Sequence, residues 1–169
     1  MSIPQSRKEN KMTDLYIKQH VFTIGERFTV YSEDGSEKYY VSGEFLSLPK
    51  TFHITSADGE EVAEISRRLF SFPLKYDFSA GGEEMTVCKR ISFFCQLYRV
   101  EPIGWEIEGD FFAHEYEITD DGGTVATVSK EWFTFGDAYR LRVMRDEDVL
   151  ACLCALIVID ACIASSNNG

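Results

Sequence analysis

The chain has 169 residues, of which 44% are hydrophobic and 14% aromatic, and its formal net charge at pH 7 is −11. A chain of this length fits one domain and can bury a substantial core. The negative charge argues against nonspecific nucleic-acid binding and against general attraction to anionic membranes, but it leaves local basic patches open.

Residues 1–11 are polar and contain no apolar signal-peptide segment, so we expect residues 1–12 to form a flexible tail of a cytosolic protein. An odd number of cysteines indicates reduced thiols rather than a disulfide framework. The pair Cys152 and Cys154 lacks a second ligand pair, so we predict no zinc there. No other metal and no cofactor is expected. The five cysteines are Cys88, Cys95, Cys152, Cys154 and Cys162.

From Leu15 onward, short apolar stretches are separated by turn signals about every 8–15 residues, a spacing typical of an antiparallel sandwich or barrel. Asp34-Gly35 and Asp58-Gly59 suit tight hairpins because glycine tolerates positive φ. The residues of Asp121–Thr124 are read as another hairpin turn rather than a phosphate loop. About twelve strands are predicted before the final helix.

The alternation of apolar and polar residues is clearest after Asp110, where we expect one strand with an apolar inner face and an acidic outer face. The inner face is predicted to hold Phe112, His114, Tyr116 and Ile118, opposite Glu115, Glu117 and Thr119. His114 is therefore expected to be a hydrogen-bonded core residue and not a catalyst. His53, opposite Phe52 and Ile54, is expected to be exposed.

The chain also repeats itself. Gly43–Phe45 recurs as Gly109–Phe111, and Val62–Phe72 recurs as Val125–Phe135. Each copy contains several strands, so two pseudo-symmetric halves of one closed sheet fit better than a solenoid. Closure removes the sheet edges, and a hollow barrel must be filled.

The segment that can fill it is Val149–Ile159, which contains no polar side chain; after Asp160 the apolar character continues to Ala164. A helix that is apolar all round must be buried on every side. It is shorter than the ~20 residues of a membrane span, so no transmembrane segment is expected, with a tail anchor as the alternative. Asp146–Asp148 is predicted to cap the helix, and residues 165–169 to form a tail. Asp160 should lie at the barrel mouth or pair with a basic strand residue.

No nucleophile elbow, zinc-protease motif or phosphate loop is present, so no catalytic residue is predicted. Arg67 and its repeat counterpart Lys130 fall on the same faces of their strands as apolar residues. From there, their long side chains could extend to the rim of the barrel and meet an anionic headgroup. The alternatives are that they pair with acids such as Asp160 or Glu131, or that a bulge reverses their facing. The candidate headgroup-binding residues are Arg67, Arg68, Lys89, Arg90 and Lys130, most of them in the strand segments Ser66–Phe70 and Val87–Arg90, which are expected to adjoin.

Four blocks of sequence resemble the LURP-one-related family of the tubby-like superfamily, in its bacterial branch. The blocks are Phe22–Phe28, Gly104–Phe111, Val125–Trp132 and Leu156–Asp160. Phospholipid scramblases are similar at a greater distance. The resemblance implies an all-β domain over residues 13–164, a closed antiparallel barrel of about twelve strands around a buried C-terminal helix. It assigns no firm activity; tubby proteins bind phosphoinositides through a basic surface.

Three functions therefore remain open. The first is a non-enzymatic binding or regulatory module, cytoplasmic or peripheral to a membrane, that contacts phospholipid or phosphoinositide headgroups or a protein partner. The second is a scramblase-like lipid-handling protein, and the third is an enzyme without a recognisable motif. Nucleic acid is not an expected partner.

Overall fold

The structure, a computed structural model, describes residues 11–18, 27–44, 48–91, 96–131 and 138–167. Twelve antiparallel strands follow one another around a closed barrel, and each strand pairs with its neighbours in sequence. The first and last strands close the ring through a register that runs from Thr13 opposite Val143 to Lys18 opposite Ala138. The predicted tubby-like barrel and its number of strands are therefore confirmed.

The bounds of the elements follow in chain order. The strands are β1 Thr13–Lys18, β2 Arg27–Ser32, β3 Glu37–Glu44, β4 Thr51–Ser56, β5 Glu61–Arg67, β6 Lys75–Ala80, β7 Glu83–Ile91, β8 Gln96–Glu101, β9 Trp105–Asp110, β10 Glu115–Asp120, β11 Gly123–Glu131 and β12 Ala138–Val143. A 3-10 turn at Asp146–Asp148 leads into the helix α1, Val149–Asn167.

The core lies between the inner faces of the strands and α1. Alternate residues point inward and are buried, as Ala63 and Ile65 are in β5 and Tyr116 and Ile118 are in β10. Every residue of α1 from Ala151 to Cys162 is buried, which is the environment that a helix without a polar face requires. Apolar character on all sides of α1 thus specifies its position on the barrel axis.

The helix is longer than the sequence predicts. It continues through the first residues of the expected tail to Asn167, and the hydroxyls of Ser165 and Ser166 donate to the carbonyl oxygens of Ala161 and Cys162. By length and hydropathy, the stretch from Asp146 to Ser166 is sufficient to cross a membrane, so the prediction that it is too short is wrong. In this structure most of the stretch is buried inside the barrel.

The acids before α1 have other partners than the helix amides predicted for them. The Asp148 carboxylate accepts a hydrogen bond from Arg145 Nε at 2.5 Å, and Asp146 accepts one from the hydroxyl of Thr13. They form the 3-10 turn, and the first turn of α1 itself contains no acid. Their charge still lies at the positive end of the helix dipole.

The internal repeat matches the topology. Gly43 lies in β3 and Gly109 in β9, while Val62 lies in β5 and Val125 in β11, so each pair is six strands apart. At Gly109, where φ is 140°, an added Cβ would lie 2.5 Å from the carbonyl oxygen of Glu115, and no side chain fits there. Two six-strand halves therefore share one core helix.

The strand predicted to begin at Phe112 begins instead at Glu115. Residues 111–114 form a turn in which Phe111 is buried and Phe112 is exposed, because His114 adopts a left-handed φ of 55° and breaks the alternation. From Glu115 onward, the predicted inner and outer faces are confirmed. His20, Phe45, Cys95 and Trp132, and most of the Phe22–Phe28 block, lie outside the described residues.

We predict that Ala155→Asp abolishes the cooperative unfolding transition. Ala155 is fully buried in the middle of α1, where a carboxylate would have neither water nor a cation. The matched control is Ser166→Asp, which adds the same charge at the exposed end of the same helix. Urea unfolding followed by circular dichroism measures both variants. A native-like transition in Ala155→Asp would contradict the assignment of α1 as the core.

We also predict that the four described cysteines do not react with thiol reagents until the protein unfolds. Cys88, Cys152, Cys154 and Cys162 are free and buried, and burial raises the pKa of the Cys162 thiol to about 11. The reactive thiolate is then roughly 100-fold rarer near pH 8 than in an ordinary cysteine. The measurement is thiol titration with and without urea in a Cys95→Ser background, and labelling of these thiols within minutes in the native protein would refute it.

Candidate functional site at the distal end of the barrel

The two ends of the barrel are distinguished by the direction of α1. Asp146, which precedes the helix, contacts Thr13 at the start of β1, whereas Asp160 near the helix end contacts Tyr139 at the start of β12. Because neighbouring strands are antiparallel, every second connection lies at the end where α1 terminates. We define the distal end by the described parts of three such connections, residues 48–50, 68–74 and 111–114.

Most of the exposed large apolar side chains among the described residues lie at the distal end. Phe70 is completely exposed and Phe72 is 90% exposed, a strong departure from the usual burial of phenylalanine. The only counterpart in the described residues away from this end is Met12, beside Thr13. The exposed distal set is Leu48, Leu69, Phe70, Phe72 and Phe112.

Cations flank these side chains on one side of the distal end. Arg67 ends β5, Lys75 begins β6, and Lys89 is near the end of β7. The positive charges of Lys89, Arg67 and Lys50 each lower the pKa of the Cys162 thiol, against the larger effect of burial. These three side chains therefore lie around the last turns of α1. Within the described residues, no carboxylate lies within ion-pair distance of Arg67, Lys75 or Lys89.

The structure divides the five predicted headgroup-binding residues into separate groups. Arg68 donates to both oxygens of Asp77, at 2.9 and 2.5 Å, and Arg90 lies 3.2 Å from Glu101. Both charges are therefore compensated by acids. Arg67 and Lys89 remain on the cationic side of the distal end described above.

Lys130 lies on the opposite side of the distal end, where it is paired in register with Tyr139. It is on β11, six strands from β5, and its backbone N–H donates to the carboxylate of Glu115 at 3.0 Å. The segments Ser66–Phe70 and Val87–Arg90 do not adjoin as expected, because β6 lies between β5 and β7. Arg67 does share the facing of Ala63 and Ile65, but Leu69 follows the end of the strand and is exposed.

A buried polar cluster lies beneath the distal end. Asp160 is 5% exposed, and the hydroxyl of Tyr139 donates to its Oδ2 at 2.5 Å. His114 stacks on the Tyr139 ring at 4.4 Å, and its Nε2 lies 3.2 Å from Oδ1, although not aligned as a hydrogen bond. Burial and the charge of Asp160 raise the pKa of Tyr139 and of Tyr116 well above the ordinary value.

This cluster contains Asp160, whose place the sequence left open, and His114, for which a core position was predicted. Asp160 lies near the distal end, its nearest basic group is a histidine from the 111–114 turn, and its hydrogen-bond donor is a strand tyrosine. His114 packs against the core as predicted, but it does so from a turn and not from a strand, its side chain is 16% exposed, and its contact with Asp160 is not aligned as a hydrogen bond. Asp160 therefore has its hydrogen-bond donor and its nearest basic group inside the protein.

The outer wall holds a second group of ionisable side chains. His53 Nδ1 lies 3.0 Å from Glu61 and 3.9 Å from Glu64, and its Nε2 lies 3.9 Å from Glu44. The His53 side chain is 26% exposed, so the predicted exposure is only partial. His53, Glu61 and Glu64 offer ligand atoms of the kind that divalent metals take, but the carboxylates are exposed and equally suited to hydration. The expectation that the protein binds no metal stays a prediction.

Sequence reasoning missed the aromatic residues of the distal end. Phe70 and Phe72 have the parity of the exposed Glu64 and Arg68, not that of the buried Ala63 and Ile65, so the alternation of β5 continued past Arg67 already points them outward. Two further signals were Pro73, which marks a turn immediately after them, and the two arginines that precede Leu69.

We predict that Tyr139→Phe lowers the free energy of unfolding by about 1.5–3 kcal/mol, because it removes the hydroxyl that donates to a buried carboxylate. The matched control is Tyr116→Phe. Tyr116 is also buried, but its hydroxyl has no hydrogen-bond partner within the described residues, so its removal should change stability little or raise it. Urea unfolding measures both. Equal losses in the two variants would refute a stabilising Tyr139–Asp160 bond.

Comparison with known proteins agrees with this architecture. The family model described as LURP-one-related matches residues 13–160. The uncharacterized protein YxjI of Bacillus subtilis strain 168 is 34% identical over 152 residues, which cover 88% of this chain and 93% of the relative.

A solved structure shows the same fold. The X-ray structure of a protein from Arabidopsis thaliana superposes with a TM-score of 0.65 at 11% identity, covering 90% of this chain and 91% of the other. At this identity the likeness concerns the fold alone. The family match spans the whole barrel from the first residue of β1 to the buried Asp160, and the chain therefore belongs to the LURP-one-related family.

Proposed function

We propose that this protein is a non-enzymatic binding module that attaches the distal end of its barrel to an anionic phospholipid surface on the cytoplasmic side of a membrane. The observation that carries the proposal is the cationic side of the distal end, where no carboxylate among the described residues lies within ion-pair distance of Arg67, Lys75 or Lys89. The buried free cysteines fit a reducing compartment.

The net charge of −11 does not prevent such attachment, because the acids are unevenly distributed. The turns at the opposite end contain several exposed acids, and a six-residue strand separates the two ends by about 20 Å along its length. Physiological salt screens charges over about 8 Å, so these acids act weakly at a membrane facing the distal end. The exposed acids of the opposite end include Glu33, Asp34, Asp58, Glu60, Glu83, Glu84, Asp121, Asp146 and Glu147.

Among the described residues the distal end has acids too, and most of them lie away from the basic side; the exception is Glu44 at the distal end of β3, whose carboxylate lies 3.9 Å from His53 Nε2. Asp110, Glu115 and Glu131 are at the distal ends of β9, β10 and β11, and Glu131 pairs with Arg140 at 3.2 Å. Attachment is therefore expected to be tilted, with β5, β6 and β7 nearest the lipid. A basic residue near an anionic surface contributes about 1 kcal/mol, so three or four give weak, salt-sensitive binding.

The scramblase-like alternative draws on the hydropathy of α1. It would require the helix to leave the barrel, which would expose the inner faces of twelve strands and separate Asp160 from Tyr139. A module that keeps its helix inside loses neither interaction. We therefore favour surface attachment, and we propose no enzymatic step for either arrangement.

We predict that the protein co-sediments with vesicles of equimolar phosphatidylserine and phosphatidylcholine at low salt and not with phosphatidylcholine alone. The double variant Arg67→Glu/Lys89→Glu should bind at least about 30-fold more weakly, since two attractions of about 1 kcal/mol each are lost. A separate arm with phosphoinositide-containing vesicles asks whether the headgroup matters beyond its charge.

The matched control is Lys38→Glu, which reverses an exposed charge at the opposite end of the barrel. Its binding should equal that of the parent protein. If the parent does not bind the anionic vesicles at low salt, or if the double variant binds as well as the parent, the proposed function is wrong.

A further inference from the structure

Phe70 and Phe72 face solvent from a loop that is otherwise well organised. The loop of residues 68–74 is closed by the N–H of Arg68, which donates to the carbonyl oxygen of Lys75 at 2.9 Å. The hydroxyl of Ser71 donates to the carbonyl oxygen of Arg68 at 3.0 Å and accepts the N–H of Lys75 at 3.2 Å. The Ser71 side chain thus points into the loop, while Phe70 and Phe72 on either side of it point outward.

The backbone maintains this arrangement at a conformational cost. Phe70 has a φ of 56°, in the left-handed region that bulky side chains rarely adopt. Such conformations persist where surrounding contacts impose them, and they are concentrated at functional segments. The bonds through Ser71 are contacts of this kind, and their effect is to hold the Phe70 ring fully in solvent.

Other exposed apolar groups lie beside the loop. The N–H of Arg67 donates to the carbonyl oxygen of Lys50 at 2.9 Å, which brings the 48–50 segment and its 84% exposed Leu48 next to the loop. Scattered single apolar residues on a surface need no explanation, whereas a contiguous group marks a binding surface. Leu48, Leu69, Phe70 and Phe72 form such a group.

We infer that the 68–74 loop inserts Phe70 and Phe72 into the boundary between headgroups and acyl chains of an anionic membrane, an inference that rests on the proposed function. The charges decide in favour of lipid over a protein partner. Arg67, Lys75 and Lys89 are at the strand ends directly behind the aromatic tips, so inserted rings would place these cations at the level of the phosphates. Apolar groups that enter the boundary between headgroups and acyl chains by about 5–10 Å, with cations on the adjoining polar face, are the usual design of interfacial binding.

The test introduces one additional tryptophan at a time into the full chain as a reporter of depth in the membrane. Phe70→Trp and Phe72→Trp are mixed with vesicles of phosphatidylserine and acyl-brominated phosphatidylcholine, and their emission is read against the parent protein to subtract the native tryptophans. Bromine quenches only rings that reach the acyl region. Both reporters should be quenched, whereas Met12→Trp, at the opposite end of the barrel, should not be.

A second measurement asks whether insertion contributes to affinity. Phe70→Ser/Phe72→Ser should weaken vesicle binding by about tenfold or more while leaving the unfolding transition unchanged, because both rings are exposed in the free protein. Met12→Ser is the matched control and should bind as the parent does. The residual binding of the double variant should become more sensitive to salt, since only the cations then contribute.

Three outcomes would overturn the inference, and they are distinguishable. Binding to anionic vesicles without quenching, and unaffected by Phe70→Ser/Phe72→Ser, would leave the proposed surface attachment intact and remove insertion. Absence of vesicle binding in the parent would remove both. Self-association in solution that is lost in Phe70→Ser/Phe72→Ser, without quenching in vesicles, would assign the loop to contact with a second copy of the chain.

Discussion

A twelve-stranded barrel is too wide to be filled by the side chains of its own wall, and this constraint determines the rest of the molecule. The helix α1 resolves it by placing apolar groups on every side of the axis. Its burial leaves no face for charges except at its ends, where Arg145 and Asp148 pair at one end and Asp160 meets Tyr139 at the other. Strand register, closure and the direction of the helix then follow from packing around one cylinder.

The same constraint separates the chemistry of the two ends. Acids precede α1 and cations surround its last turns. At each end the side-chain charge is opposite in sign to the helix dipole, which is a favourable interaction. The cations therefore have a structural reason to be where they are, in addition to any attraction for lipid. The exposed phenylalanines have no comparable reason, since neither Phe70 nor Phe72 contributes to the core.

The fold could be predicted because its signals are local. Alternation in each strand, Asp-Gly turns and an apolar helix without a polar face each depend on a few neighbouring residues, and the repeat adds the symmetry. The site could not be predicted to the same extent. Whether the charge of Arg68 is neutralised depends on Asp77 in the next strand. Whether Phe70 is buried depends on its own left-handed backbone conformation and on the hydroxyl of Ser71. Such features are set by register and by turn geometry, which residue spacing does not encode.

The order of the elements along the chain has a consequence for biosynthesis. All twelve strands leave the ribosome before the helix that they enclose, so the nascent sheet has apolar inner faces and nothing to pack against. Its first and last strands must also meet across nearly the whole barrel sequence, a contact of the slowest kind to form. Newly made chains should therefore depend on chaperones that cover strand edges until α1 emerges, and translation pauses upstream of Val149 should promote aggregation.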